Sequence, residues 1–143
     1  MRVLIVNTSE KTGGAAVAAN RLMEALNNNG VKAKMLVAKK ETDQITVVPL
    51  PNSRLTRLHF LWERLTIFFH LHLQRRHLFE IDTANSGTDI TRLPEFKEAD
   101  VIHLNWINQG MLSLRSIRKI LRSGKPVVWT MHDIWPASSI CHL

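Results

Sequence analysis

The first thirty residues constrain this chain most. Val3, Leu4, Ile5 and Val6 form a short apolar block rich in β-branched residues, the composition of a strand buried on both faces of a parallel sheet. Asn7, Thr8 and Ser9 end it, and Gly13 and Gly14 follow. From Ala15 the small and apolar residues Ala15, Ala18, Ala19, Leu22, Ala25 and Leu26 recur at helical offsets, which predicts one face that packs on the sheet. Asn27 to Gly30 supply poor helix formers and then a residue free to take positive φ, a stop signal. The stretch therefore reads as strand, phosphate-sized loop and helix. A glycine pair before a helix lets another group approach the backbone, where unpaired N–H donors welcome an anion. The same pair can also serve only to make the turn. Neither G-x-G-x-x-G nor G-x-x-x-x-G-K-[ST] is present.

The rest of the chain repeats the alternation. Met35 to Ala38 is predicted as the second strand, and strand, helix, strand with short connections is the βαβ unit. Ile45 to Val48 predicts a short third strand, ended by Pro49 and Pro51. Pro94 to Ala99 predicts one helical turn, and Val101 to Leu104 a convincing strand. Leu114, Ile117, Ile120 and Leu121 mark a helix with Arg115, Arg118 and Lys119 on its wet side. Val127 to Trp129 is the last strand. The expected fold class is α/β, a Rossmann-like parallel sheet flanked by helices, within the single domain that 143 residues at 45% hydrophobic content can build.

One segment resists this pattern. Between Arg54 and Leu78, the residues Leu55, Leu58, Trp62, Leu65, Phe69 and Leu73 lie at helical spacing. Phe60, Leu61, Ile67, Phe68 and Leu71 lie outside that stripe, and Glu63 and Arg64 interrupt it. Two readings stay open: a long or broken helix wedged between sheet and solvent, or a helix lying at a membrane surface through Arg54, Arg57, Trp62, Arg75 and Arg76. His59 and His70 lack the four-residue spacing of a metal pair, and Cys141, His142 and His132 have no defined ligand spacing, so no metal is expected.

Charge and cysteine use narrow the partners. Lys and Arg number 19 against 12 acidic residues, a net charge of +7, which favours phosphorylated substrates, acidic lipid or nucleic acid. No nucleic-acid motif accompanies the charge, so no nucleic-acid partner is expected. A lone cysteine, a short apolar run after Arg2 and the lack of any stretch of about 20 apolar residues predict a cytoplasmic protein.

In open α/β sheets, ligands bind beyond the carboxyl ends of the strands. Three polar clusters fall there: Asn7 to Gly14, Asn105 to Gln109, and His132 with Asp133. An amide pairs with vicinal hydroxyls and an indole covers a sugar ring's C–H face, so Asn105 and Trp106 suit a sugar. Trp106 as a core plug and Asn105 as a loop cap is the bland alternative. His132 would act as a general base or as a neutral hydrogen-bond partner. Its neighbour Asp133 cannot orient the ring as in a triad without unusual backbone geometry. No G-x-S-x-G nucleophile motif occurs.

Three stretches together carry a family resemblance. They are Asn7-Thr8-Ser9 with Gly13-Gly14-Ala15-Ala16 and Ala19-Asn20-Arg21-Leu22; Ala99-Asp100-Val101-Ile102-His103-Leu104-Asn105-Trp106; and Pro126-Val127-Val128-Trp129-Thr130-Met131-His132-Asp133-Ile134-Trp135-Pro136. In that order they resemble the N-terminal half of family 4 retaining glycosyltransferases that build bacterial surface polysaccharides. The resemblance implies the GT-B architecture, two Rossmann-like domains facing across a cleft. It implies sugar transfer from a nucleotide-sugar donor to a glycan or lipid-linked acceptor, with retention and without a metal or other cofactor. Under the membrane-surface reading of the Arg54 to Leu78 segment, the cytoplasmic protein would sit peripherally at the inner face of the cell membrane. Gly13 and Gly14 would meet the donor diphosphate, His132 the transferred sugar, and Asn105, Trp106 and Asp133 the acceptor or sugar. Residues 1–143 would be a partial acceptor-side domain, with the donor-binding domain absent and the fragment alone inactive. Where related sequences continue T-G-x-C-H-Y after H-D-x-W-P, this one reads Ala137-Ser138-Ser139-Ile140-Cys141-His142-Leu143, a departure in that loop.

Overall fold

The computed structural model describes residues 1–138 and 140–142, and the end of the departing loop, Ser139 and Leu143, lies outside them. Five parallel strands form the sheet: β1 (Arg2–Val6), β2 (Lys32–Val37), β3 (Val47–Pro49), β4 (Val101–Leu104) and β5 (Val127–Trp129). Their order across the sheet is β3-β2-β1-β4-β5. The chain builds outward from β1 to β3 and then returns to add β4 on the other side of β1, pairing Val3 with Val101 and Val6 with Leu104. This is a Rossmann-like α/β arrangement, and its topological switch point lies between β1 and β4.

The helices are α1 (Gly14–Asn28), α2 (Ser53–His70), α3 (Pro94–Glu98), α4 (Leu114–Leu121) and α5 (Trp135–Ser138). The pleat sends alternate side chains to opposite faces. Leu4, Val6, Leu36, Ile102 and Leu104 pack with Phe96, Ile117, Ile120 and Trp135 on one face. Val3, Ile5, Ala33, Met35 and Val37 pack under Ala19 and Met23 of α1 on the other.

The structure corrects the sequence reading in several places. In α1 the buried residues are Ala16, Ala19 and Met23, with Leu22 and Leu26 at the margin, while Ala18 and Ala25 face solvent. Alanine is a poor marker of a face because it is cheap on either side, and Met23, the one long apolar residue of α1 that is fully buried, marks the face. β2 begins at Lys32 rather than Met35, and Ile45 falls outside β3, 91% exposed. Leu114 and Leu121 of α4 are exposed, the buried face being Ser116, Ile117 and Ile120.

The largest difference is α2. It ends at His70, and the following turns carry His72, Leu73 and His77 at positive φ. Its buried residues are Thr56, Glu63, Arg64 and Ile67, whereas the predicted stripe Leu55, Leu58, Trp62, Leu65 and Phe69 is exposed. The cause is what lies beneath. α2 rests on the segment that follows it, residues 78–84, and on the loop after β4 rather than on the sheet: Glu63 accepts from Ala84 N, Arg64 donates to Leu78 O, and Gly110 sits against the Phe60 backbone. Irregular backbone presents unpaired polar groups, and polar side chains on the helix satisfy them.

Candidate functional site

The loops that leave β1, β4 and β5 converge at the carboxyl edge of the sheet. Thr8 N donates to Trp106 O at 2.7 Å, Trp106 N to Asn7 Oδ1 at 3.0 Å, and Thr8 Oγ1 to Asn108 O at 2.9 Å. These bonds stitch the first loop to the one after β4 across the switch point. A cavity of about 550 Å³ opens above them, bounded by Thr12, Gly13 and Gly14, by Trp106 and Gln109, and by His132 and Asp133.

Each wall is held by identifiable bonds. The glycine loop is pinned from below by Glu10, whose buried carboxylate accepts from the Thr42 hydroxyl and from the backbone N–H groups of Glu41 and Thr42. Burial alone would raise the Glu10 pKa, but those bonds together with nearby Lys40 lower it. Gly13 is the N-cap of α1 at φ 89°, a conformation glycine adopts freely. Gly14 has no such requirement, and no heavy atom lies within 4 Å of where its Cβ would stand. α1 has no side-chain cap and no acidic residue in its first turn, so its N-terminal donors face the cavity without a built-in anion.

Trp106 is half-buried, and its indole Nε1 donates to Asp133 Oδ2 at 2.9 Å, which fixes the plane of the ring. Asp133 also accepts from His142 Nδ1 at 2.5 Å and from Trp135 N at 3.0 Å. Burial raises the Asp133 pKa, and the bonds from His142 and Trp106 outweigh it, holding the carboxyl below its ordinary value. His132 is exposed, and its Nε2 donates to Asn105 Oδ1 at 2.9 Å. Asp133 therefore braces Trp106, not the neighbouring imidazole.

Of the sequence-predicted site residues, Gly13, Gly14, Trp106, His132 and Asp133 line one cavity. Asn105 does not: it is buried behind His132, where its carbonyl oxygens hold the His132 and Trp129 side chains. Asn105 thus supports the His132 imidazole from behind the cavity wall. His103 stands in the same layer with Nε2 2.7 Å from Thr130 Oγ1, its pKa lowered by burial and then by His132.

A second tier escaped the sequence reading. His142 lies 3.6 Å from Asp82 Oδ2, and that same oxygen accepts from Gln109 N at 2.9 Å, holding Gln109 in the left-handed region at φ 60°. Asp82 Oδ1 is 3.5 Å from Arg64 Nη2, which is 3.8 Å from Glu63 Oε2. Burial first, and then the Asp82 carboxylate, push Glu63 up to about 8. Glu63 Oε2 and Asp82 Oδ1 are buried without a hydrogen-bond partner, and Arg64 Nη2 stands between them. The cluster thus links α2 to the wall of the cavity. His142, noted in the sequence only as a poor metal ligand, is its middle member.

A cavity of about 320 Å³ also lies at the opposite edge, between Arg2, Lys32, Lys34, Glu95 and Glu98. It sits at the amino ends of β1 and β2, away from the switch point where open α/β sheets bind ligands. No protein-family model, curated protein or solved structure matches this chain. The fold and the cavity define a Rossmann-like α/β domain with one candidate ligand site at the carboxyl edge of its sheet.

Proposed function

We propose that the chain is the acceptor-side half of a retaining glycosyltransferase, one that moves a sugar from a nucleotide-sugar donor to a glycan or lipid-linked acceptor. One observation carries the reading: a glycine loop at a helix N-terminus, a braced indole and an exposed imidazole share a single cavity at the switch point. Each fits a part of that chemistry. The uncapped α1 N-terminus suits the negative charge that develops on a departing diphosphate. The Trp106 face suits the C–H surface of a sugar ring. His132, with Nε2 donating to Asn105, offers Nδ1 as an acceptor for a sugar hydroxyl. In this reading the remaining donor contacts come from a second domain, and residues 1–143 alone show negligible turnover.

Saturation-transfer NMR with a panel of nucleoside diphosphates, nucleotide sugars and free glycans tests it. The expected result is transfer to at least one sugar-bearing member of the panel, with the signal on its sugar protons abolished by Trp106→Ala. If no member of the panel gains signal at millimolar concentration, or if Trp106→Ala leaves the signal intact, the reading fails.

A further inference from the structure

We propose that α2 is a docking surface for an anionic lipid bilayer. The observation is an inversion: this helix buries Thr56, Glu63, Arg64 and Ile67 and turns Leu58, Leu61, Trp62, Leu65 and Phe69 to solvent, with Leu58, Trp62 and Phe69 each 60% exposed. A surface helix ordinarily does the reverse. The offsets of three and four residues between Leu58, Leu61, Trp62, Leu65 and Phe69 put them in one stripe, and Leu73 and Phe79 in the following turns extend it, also exposed.

Charge identifies the occupant. Between Ser53 and Phe79 the only acidic residue is Glu63, and it is buried. Arg54 and Arg57 at one end of the stripe and Arg75 and Arg76 at the other are all exposed. An apolar stripe with cationic ends, whose adjoining exposed carboxylate, Glu80, is paired with His77, matches the acyl boundary and headgroups of an anionic leaflet. A second copy of the chain fits badly, because pairing two such stripes sets four arginines against four, with Glu80, already paired with His77, the one exposed acid between Ser53 and Glu80. Eighteen residues give a helix about 27 Å long, and no helix among the described residues is long and apolar enough to cross a membrane, so α2 lies along the surface. Its first turns border a cavity that also touches Gln109, a residue of the candidate site, and docking therefore sets that site beside the bilayer. The proposal stands independently of sugar transfer.

Co-sedimentation of the chain with phosphatidylcholine vesicles, with and without phosphatidylglycerol, tests it, alongside light scattering for oligomeric state. The expected result is pelleting with the anionic vesicles only. Leu58→Glu and Phe69→Glu each lower partitioning at least tenfold, and Arg75→Gln and Arg76→Gln about fivefold apiece. Arg115→Gln with Arg118→Gln on exposed α4 removes the same charge elsewhere and leaves partitioning unchanged. Circular dichroism checks each variant, and the Arg75 and Arg76 changes, in exposed turns, keep the test intact if a glutamate variant misfolds. Three outcomes overturn the proposal: no vesicle binding, equal binding to neutral vesicles, or a dimer that Leu58→Glu disperses without any vesicle binding.

Discussion

Gly14 separates what the fold needs from what a ligand needs. It opens α1, its φ is not left-handed, and open space surrounds the position of its missing Cβ. Neither conformation nor packing calls for glycine there. Gly14→Ala should therefore stabilise the fold by about 0.5 kcal/mol, chiefly by restricting the unfolded chain, raising Tm by about 1–2 °C. Gly14 also lines the cavity, and a Cβ there would compete for space with an anion, which needs N···O distances of about 2.9 Å to the first N–H groups of α1. Losing one charge-assisted hydrogen bond costs about 1.5–3 kcal/mol, so diphosphate affinity should fall roughly 10- to 150-fold. Gly14→Val should exclude the anion more completely. Gly13→Ala is the contrast: at φ 89° it should cost the fold about 1–2 kcal/mol as well. Calorimetric melting and titration with a nucleoside diphosphate measure both quantities on the same samples. A more stable Gly14→Ala protein with unchanged affinity removes the loop from the site, and a destabilised one refutes the packing argument.

Four further outcomes follow from the bonds described. Glu63, raised to about 8, binds its proton in the folded state while an unfolded carboxyl near 4.5 has lost it, so its contribution to stability falls as pH rises from about 4.5 to about 8; Glu63→Gln should flatten that part of the urea-midpoint profile relative to the parent chain. Trp135 is 2% exposed and its Nε1 donates to Asp82 O at 2.8 Å, so Trp135→Ala should cost about 3–5 kcal/mol in denaturant unfolding. At Gly110, with φ 78°, a Cβ would stand 2.5 Å from Phe60 N, and Gly110→Ala should cost about 2 kcal/mol or more by the same measurement. Asp133→Asn removes the carboxylate that braces Trp106 and His142, and should shift the Trp106 indole N–H resonance while leaving the far-ultraviolet spectrum unchanged.

The sheet was legible because its central strands are apolar blocks: Val3 to Val6 and, interrupted only by His103, Val101 to Leu104 sit side by side with both faces of the sheet covered. Polar residues that directly follow such blocks must fall at the carboxyl edge, which is why Gly13, Gly14, Trp106, His132 and Asp133 could be named together. Asn105 shares that position in sequence, yet the loop turns it inward, and no pattern of residue types distinguishes the two outcomes. The tier behind the cavity was not legible at all. Glu63 and Asp82 are distant in sequence, and only folded α2 sets them against one another. The apolar residues of α2 left open which of its sides is wet, because periodicity reports that a helix is two-sided and no more. The burial of an arginine between two acids decided that.

The most direct test of the account is a ¹⁵N-correlated NMR titration of the chain with a nucleotide sugar and with its parent nucleoside diphosphate. The account expects the largest shifts at the backbone amides of Gly13 and Gly14 for both ligands, and at the Trp106 indole only when the sugar is present. Shifts confined to Arg2, Lys32 and Glu98 at the opposite edge of the sheet, or no shifts at saturating ligand, would contradict it.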